Sequence, residues 1–418
     1  MVLCAVFTGW SASGNEHSVP CSRETREKRF PCTGLFCMST LRSADVFCRV
    51  IDNFGDAGVC WRLARALSRH GLSVRLWIDD LPRLRRLRPT IDTARREQPL
   101  DGFIVVQWDE ASPDGYVPAD LVIEAFACRM PEPMLDVLAR TEPRRAWINL
   151  EYLSAESWVK GSHALPSPHP RLPLTQHFYF PGFEPGLGGL LREPDVRSAR
   201  AAFDAPARED FLARFGIARR DSKGDSLLVS MFCYPHAPLD ALLTAMQSGP
   251  RVTCLVPEGV AGDVIARRLE RPALPGERLT RGNLTLVVVP FLEPDDYDRL
   301  LWSCDLNFVR GEDSLVRAHW AERPFIWQLY PQSEGAQQAK LEAFLDISLA
   351  GMGNGLAARV RSFAQWWNAD SSSVDLADWS ALCANLPEWE SHACHWAASA
   401  ASAGELSRSM IEFASKIR

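Results

Sequence analysis

From residue 45 onward, short apolar runs alternate with longer segments whose apolar positions recur at helical spacing. DVFCRVI, LSVRLWID, FIVVQWD, LVIEAFAC and AWINLEYL predict buried strands. VCWRLARALSRH sets Trp61, Leu63, Ala64 and Leu67 near helical spacing, with Gly71 just past its end, and EPMLDVLAR predicts another helix. The rhythm breaks over residues 161–195, where HALPSPHPRLPL and GFEPGLGGLLREPD predict a long loop closing a first domain. ARAAFDAPAREDFLARFGI reads as helical and leads to a second start. There SLLVSMFCY, RVTCLVP, LTLVVVPF, LNFVR and PFIWQLY predict strands. APLDALLTAMQ, VAGDVIARRLE, DDYDRLLWSC, SLVRAHWAE and AQQAKLEAFLDISLA predict the helices between and after them. The tail is helical, and its last helix, ELSRSMIEFASKI, gathers Leu406, Met410, Ile411 and Phe413 on one face.

Strand–helix alternation of this kind builds parallel, doubly wound sheets. The chain is therefore expected to be α/β, with two facing Rossmann-like domains and a cleft between the C-terminal edges of their strands, where ligands bind. The expected divisions are a disordered or non-native extension at 1–42, a first domain at 43–205, a second at 206–400, and a C-terminal helix at 401–418 packing back on the first domain. Glycosyltransferases, some epimerases and some periplasmic-type binders share this architecture, so it does not choose among them.

Length and charge narrow the classes. The 418 residues are 46% apolar, more than one core usually holds. A net charge of -6 lacks the basic excess of a nucleic-acid binder. No apolar run approaches the ~20 residues of a membrane span. The 12 cysteines are scattered. Cys48, Cys60, Cys128, Cys233, Cys254 and Cys304 sit in apolar runs, and the Cys32–Cys37 pair has no second pair at zinc-like spacing, which fits a reducing cytoplasm and no structural metal. The first forty residues are polar or aperiodic apart from VLCAVFTGW, which lacks the basic start of a signal peptide; Met38 is the expected natural start.

Two acidic turns carry candidate chemistry. In IDNFGDAGV, Asp52 stands where the first strand should end, Gly55 and Gly58 permit a tight turn, and Asp56 precedes a helix expected to begin near Val59. The dinucleotide fingerprint is absent, and two carboxylates at a strand mouth would repel a pyrophosphate while suiting a cationic or hydroxyl-bearing acceptor. The alternative is structural: Asp56 caps its helix and Asp52 fixes the turn. In LNFVRGEDSLVRAHWAE, a helix opening near Ser314 offers unpaired N–H groups to a diphosphate, with Arg310 as a forked cation. Glu312 is then left to face the sugar or acceptor. Here too the alternative is a capped helix with surface charges. Phe232, Tyr234, Phe291 and Tyr330 stand at strand ends on the same side, where together they suit a nucleobase and singly suit core packing.

CRVIDNFGDAGVCWRLARAL, NLEYLSAE, HFYFPGF and DRLLWSCDLNFVRGEDSLVRAHWAERPFIWQLYPQ resemble the bacterial protein-arginine rhamnosyltransferases that mature elongation factor P, the EarP family, from about residue 44 to near the C-terminus. The resemblance implies a GT-B glycosyltransferase acting with inversion in the cytoplasm, with dTDP-β-L-rhamnose as donor, one arginine of elongation factor P as acceptor, and no cofactor, nucleic acid or membrane partner. It implies catalytic roles for Asp52, Asp56 and Glu312. It places Asn53, Phe54, Gly55, Phe232, Tyr234, Phe291, Arg310, Asp313, Ser314 and Tyr330 around the donor, with Phe291 stacking on the base. One departure is Pro294, which stands where the family often has a glutamine, so a side-chain hydrogen bond to the base is missing or supplied otherwise. Arginine is a poor nucleophile because its guanidinium is delocalised and protonated, with a pKa above ~12. Carboxylates can orient it and take its proton. In this reading Asp56 is the base, Asp52 and Glu312 grip the guanidinium, and the RGEDS turn with Arg310 steadies the departing diphosphate without a metal. The rivals are a nucleotide-sugar epimerase, a transferase onto a small molecule, and a non-enzymatic module whose acidic turns only cap helices.

Overall fold

A computed structural model describes residues 41–51, 54–109, 115–217, 226–330, 336–369 and 376–418. The first half runs β1 (Ser43–Cys48), α1 (Gly55–Arg69), β2 (Ser73–Ile78), α2 (Leu81–Leu87), β3 (Glu97–Leu100), β4 (Phe103–Gln107), β5 (Leu121–Ala125), α3 (Glu132–Arg140), β6 (Ala146–Leu150), α4 (Trp158–Ser162), β7 (Pro166–Pro168) and β8 (Thr175–Tyr179). Its eight strands lie in the order β3-β4-β2-β1-β5-β6-β8-β7, parallel except for the outermost strands β3 and β7. All five residues of β5 and of β6 are buried, as covering both faces of a parallel sheet requires.

Two helices, α5 (Val196–Ala202) and α6 (Ala205–Ala213), lead to the second half. It runs β9 (Leu227–Met231), α7 (Leu239–Ser248), β10 (Val252–Pro257), α8 (Gly262–Leu269), β11 (Arg278–Arg281), β12 (Leu284–Val289), α9 (Pro294–Ser303), β13 (Leu306–Arg310), α10 (Gly311–Trp320), β14 (Phe325–Gln328) and α11 (Ala336–Ser348). Its sheet is ordered β11-β12-β10-β9-β13-β14, parallel apart from the antiparallel β11–β12 pair. The tail adds α12 (Asn354–Asn368), α13 (Leu376–Ala384), α14 (Leu386–Ala403) and α15 (Leu406–Ile417). On α15, Leu406, Met410 and Ala414 are buried in the core of the first sheet, and Phe413 packs 5.4 Å from Tyr179.

Several local expectations need correction. The Pro- and His-rich stretch is not all loop: β8 joins the first sheet beside β6, and β7 folds back on β8. ARAAFDAPARED is not one helix. It breaks at Asp204, whose side chain accepts from Ala207 N–H and restarts the helix. Helix α1 begins at Gly55 rather than near Val59, and α10 at Gly311 rather than near Ser314, so Asp56, Glu312 and Asp313 sit inside first helical turns. Of the expected N-terminal extension, residues 1–40 lie outside the described residues. Leu41 is buried, and the backbone N–H of Arg42 donates to Asp120.

The two sheets are joined by a buried charge network. Arg62 of α1 reaches Glu193 at 3.0 Å, Asp298 of α9 at 3.3 Å and Asp313 of α10 at 3.1 Å. Arg317 of α10 reaches Glu193 at 2.6 Å and Asp298 at 2.5 Å. Burial would raise the Glu193 carboxyl, but Arg317 and Arg62 hold it well below the usual carboxylate range. Charges out of water are tolerable only when paired and hydrogen-bonded in this way. Glu193→Ala removes a buried carboxylate shared by two buried guanidinium groups, so it should cost about 3–5 kcal/mol. Urea unfolding read at constant slope checks this, and a loss under ~1 kcal/mol would show that the network contributes little.

His319 is buried between Trp396 at 4.3 Å and Trp320 at 4.7 Å. Burial first, and then Arg192, push its imidazole down to about 3. The fold therefore holds the neutral ring. Its contribution is fully present above the unfolded value near 6.5 and is lost as pH falls from there toward 3. His319→Phe should flatten the wild-type decline in stability across that window, and parallel curves for the two proteins would refute it.

Candidate active site

Without β3, β7 and β8 in the first sheet and β11 in the second, both sheets share one winding: β4-β2-β1-β5-β6 and β12-β10-β9-β13-β14. In each, strand order reverses beside the first strand, between β1 and β5 and between β9 and β13. A crevice forms there because the flanking crossovers run to opposite sides. The loops leaving β1 and β13 open α1 and α10, and these two helices pack together across the cleft. Gly58 permits the approach: a Cβ there would lie 3.2 Å from Asp313 Oδ2.

One cavity is lined by Phe54 and Gly55 from the first half and by Phe232, Tyr234, Phe291, Arg310, Glu312, Asp313 and Ser314 from the second. Most of the residues expected around the donor thus share one cavity. Asp56 and Tyr330 stand beside it rather than in its lining. Asp52 and Asn53 lie outside the described residues.

The acidic groups are held in different ways. Asp56 is buried, and its Oδ2 accepts from Ile51 N–H at 2.8 Å, which ties Ile51 to the first turn of α1. Its Oδ1 faces the Tyr152 hydroxyl at 3.4 Å. Phe54, at the helix cap, makes no side-chain cap bond. Glu312 Oε2 accepts from the backbone N–H of Leu153 at 2.8 Å, and Oε1 lies 2.8 Å from Lys340 Nζ. Beside them, burial and the charge of Glu312 push the Glu151 carboxyl up. Asp313 turns its carboxylate to Arg62 of α1, so its side chain joins the two halves.

On the donor side, the Arg310 guanidinium lies over the rings of Phe232 at 4.5 Å and Tyr234 at 4.6 Å and donates to the Cys233 carbonyl at 3.1 Å. No side chain caps α10 at Arg310, and Gly311, at φ +64°, turns the chain into the helix. The first turn, Gly311 to Ser314, lines the cavity, and an uncapped helix start with its dipole suits phosphate oxygens. The Ser314 hydroxyl accepts from Arg310 N–H at 3.1 Å and donates to the Arg310 carbonyl, so it shapes this turn. Phe291 pairs with Phe54 at 5.4 Å and lies under Arg86 at 5.1 Å. Tyr330 is exposed and meets the edge of Tyr234 at 5.5 Å. Pro294 lines the cavity and has no side-chain donor to offer a base.

Tyr152, Leu153, Lys340, Arg86 and the Arg62–Arg317 network belong to the site in the structure but are not among the residues that the sequence pattern points to. An arginine flanked by Trp61 and Leu63 on a helix with apolar periodicity was a usable signal for Arg62. Lys340 gave none, because a lysine in a polar helix reads as solvated. Among the described residues, no group of three His, Cys, Asp or Glu side chains is placed to hold a metal ion, and no helix is long and apolar enough to cross a membrane.

The family described as "Elongation-Factor P (EF-P) rhamnosyltransferase EarP" matches residues 44–415. The protein-arginine rhamnosyltransferase of Pseudomonas aeruginosa is 42% identical over 381 residues, covering 89% of this chain and 99% of that protein. Its counterpart in Pseudomonas putida is 43% identical over 379 residues, covering 88% and 97%. A solved structure described as the structural basis for EarP-mediated arginine glycosylation of translation elongation factor EF-P aligns with a TM-score of 0.62 at 31% identity, covering 89% of this chain and 98% of that one.

Proposed function

The chain belongs to the EarP family of elongation factor P rhamnosyltransferases, and on that premise we propose that its cleft transfers L-rhamnose from dTDP-β-L-rhamnose to one arginine of elongation factor P, with inversion at the anomeric carbon. The observation that carries this reading is the meeting of two helix N-termini at the switch points of facing sheets. One sets Asp56 beside the cavity and the other brings Glu312 into its lining, next to an uncapped, anion-receptive turn. An epimerase needs no such acceptor side, and neither it nor a small-molecule acceptor finds support in the family.

A diphosphate seated on the first amides of α10 places its charge on the helix dipole, with the Arg310 guanidinium close by. Phe291 and Phe54 offer flat apolar faces to the thymine. The sugar then points toward the acidic side, where Glu312 holds the acceptor guanidinium and Asp56 takes its proton. One guanidinium nitrogen bonds to the anomeric carbon as the bond from that carbon to the diphosphate oxygen breaks. The electron pair leaves with dTDP, and the proton goes to the Asp56 carboxylate. Ile51 N–H and the Tyr152 hydroxyl fix the direction of that carboxylate. The charge on the departing diphosphate falls on groups already in place, so the step as proposed needs no metal. A translation factor as acceptor, together with eight free cysteines among the described residues, supports a cytoplasmic location.

Incubation of the protein with dTDP-rhamnose and elongation factor P should add one deoxyhexose to the factor, read by intact mass. An unmodified factor would overturn the reading. Asp56→Asn should lower turnover by about 10²–10⁴-fold with dTDP affinity nearly unchanged. Near-normal turnover would remove Asp56 as the base. Phe291→Ala should do the reverse, weakening dTDP in calorimetry by about tenfold, as loss of a base-stacking face predicts. Unchanged dTDP affinity would move the base elsewhere.

A further inference from the structure

We propose that Lys340 is a positioning residue for the transfer: its ammonium fixes the Glu312 carboxylate as the anion that receives the acceptor guanidinium. The proposal rests on the reading of Glu312 given above. Lys340 Nζ lies 2.8 Å from Glu312 Oε1, and the two side chains are only 14% and 18% exposed, so water and salt screen the pair weakly. The second oxygen is held by Leu153 N–H, from the segment that follows β6. With a donor on each oxygen, the carboxylate plane is set before any ligand arrives. A carboxylate has about four lone-pair sites, so two remain for a guanidinium.

The surroundings show why a cation is needed here. Around one flanking cavity, Glu312 shares its space with Glu151, Asp313, Arg62 and Arg317. Around the other it meets Arg86, Glu258, Arg310 and Asp313. Arg62 and Arg317 are committed to Glu193 and Asp298, and Arg310 to two rings and a carbonyl. Neighbouring carboxylates disfavour each other's ionised form, and Glu151 is the one whose carboxyl is pushed up, by burial and by Glu312. Lys340 sets an opposite charge against Glu312, whereas Glu151 is met by the neutral Asn149 amide. A lysine also suits the place better than an arginine, because a point charge leaves the carboxylate edge open whereas a fork would occupy it.

The test is steady-state transfer to elongation factor P across pH for wild type, K340M, K340R, E312Q and K340M/E312Q, with dTDP affinity measured separately. K340M should lower kcat by about tenfold and move the acid limb of kcat/KM up by about one pH unit, the usual effect of losing a contacting opposite charge. It should leave dTDP affinity within about twofold. K340R should restore the acid limb, and K340M should add no further loss to E312Q. A K340M enzyme with wild-type kcat and pH profile would overturn the proposal. So would losses that multiply in the double variant, or a K340R profile shifted like that of K340M. If E312Q is fully active, the reading of Glu312 itself fails; an inert E312Q beside a wild-type-like K340M removes Lys340 alone.

Discussion

Two arginines buried to about 1% exposure, Arg62 and Arg317, hold the two sheets against each other through Glu193, Asp298 and Asp313. A buried charge cannot relax its partners by much, because every alternative arrangement leaves a group unpaired away from water. The register of α1 on α10 is therefore tight, and the reaction cleft is the space left above that contact. Asp313 belongs to both. Its carboxylate closes the network, and its backbone lies in the turn that faces the cavity. Glu193 comes from the segment between the sheets, so the connection itself supplies one carboxylate that both arginines share.

The same constraint divides the labour of the carboxylates. Asp313 stands opposite a guanidinium and is structural in its side chain. Glu312, one residue earlier on the helix, points to Leu153 and Lys340 instead. Adjacent residues on a helix diverge by about 100°, so one turn can serve the interface with one acid and the cleft with the next. Asp56 uses one oxygen to tie Ile51 to the first turn of α1 and turns the other to Tyr152. Tyr152 in turn is held by Phe126, stacked on it at 4.3 Å. The aromatic side is arranged as tightly, with Arg310 sandwiched by Phe232 and Tyr234 rather than extended into solvent.

Much of the fold was legible along the chain because a parallel strand buried on both faces leaves a mostly apolar run with at most one polar residue. β5, β6, β10 and β12 all carry that mark. Strands without it escaped. β7 is PSP and β3 is EQPL, and both owe their place to pairing with a neighbour rather than to their own residues. Helix starts were misplaced for a related reason. GDAG and GED read as turn residues, yet tertiary contact between α1 and α10 carries the helix back through them. Phe232, Tyr234, Phe291 and Arg310 could be proposed as one site because each ends or follows a strand of the same sheet, and strand ends on one edge are neighbours whatever the loops do.

The sequence by itself determined the two doubly wound units, the acidic and RGEDS turns at their strand ends, and, through long matching strings, the chemistry to expect. These are properties of local pattern, of period, turn residues and strand order, and they survive without three-dimensional contact. Only the tertiary structure decided what each acid does. It gave Asp313 to Arg62, Asp56 to Ile51 and Tyr152, and Glu312 to Leu153 and Lys340. Those partners lie far apart in the chain, and a carboxylate's role is set by the charge and donors that surround it after folding. The linear order of residues does not display that environment.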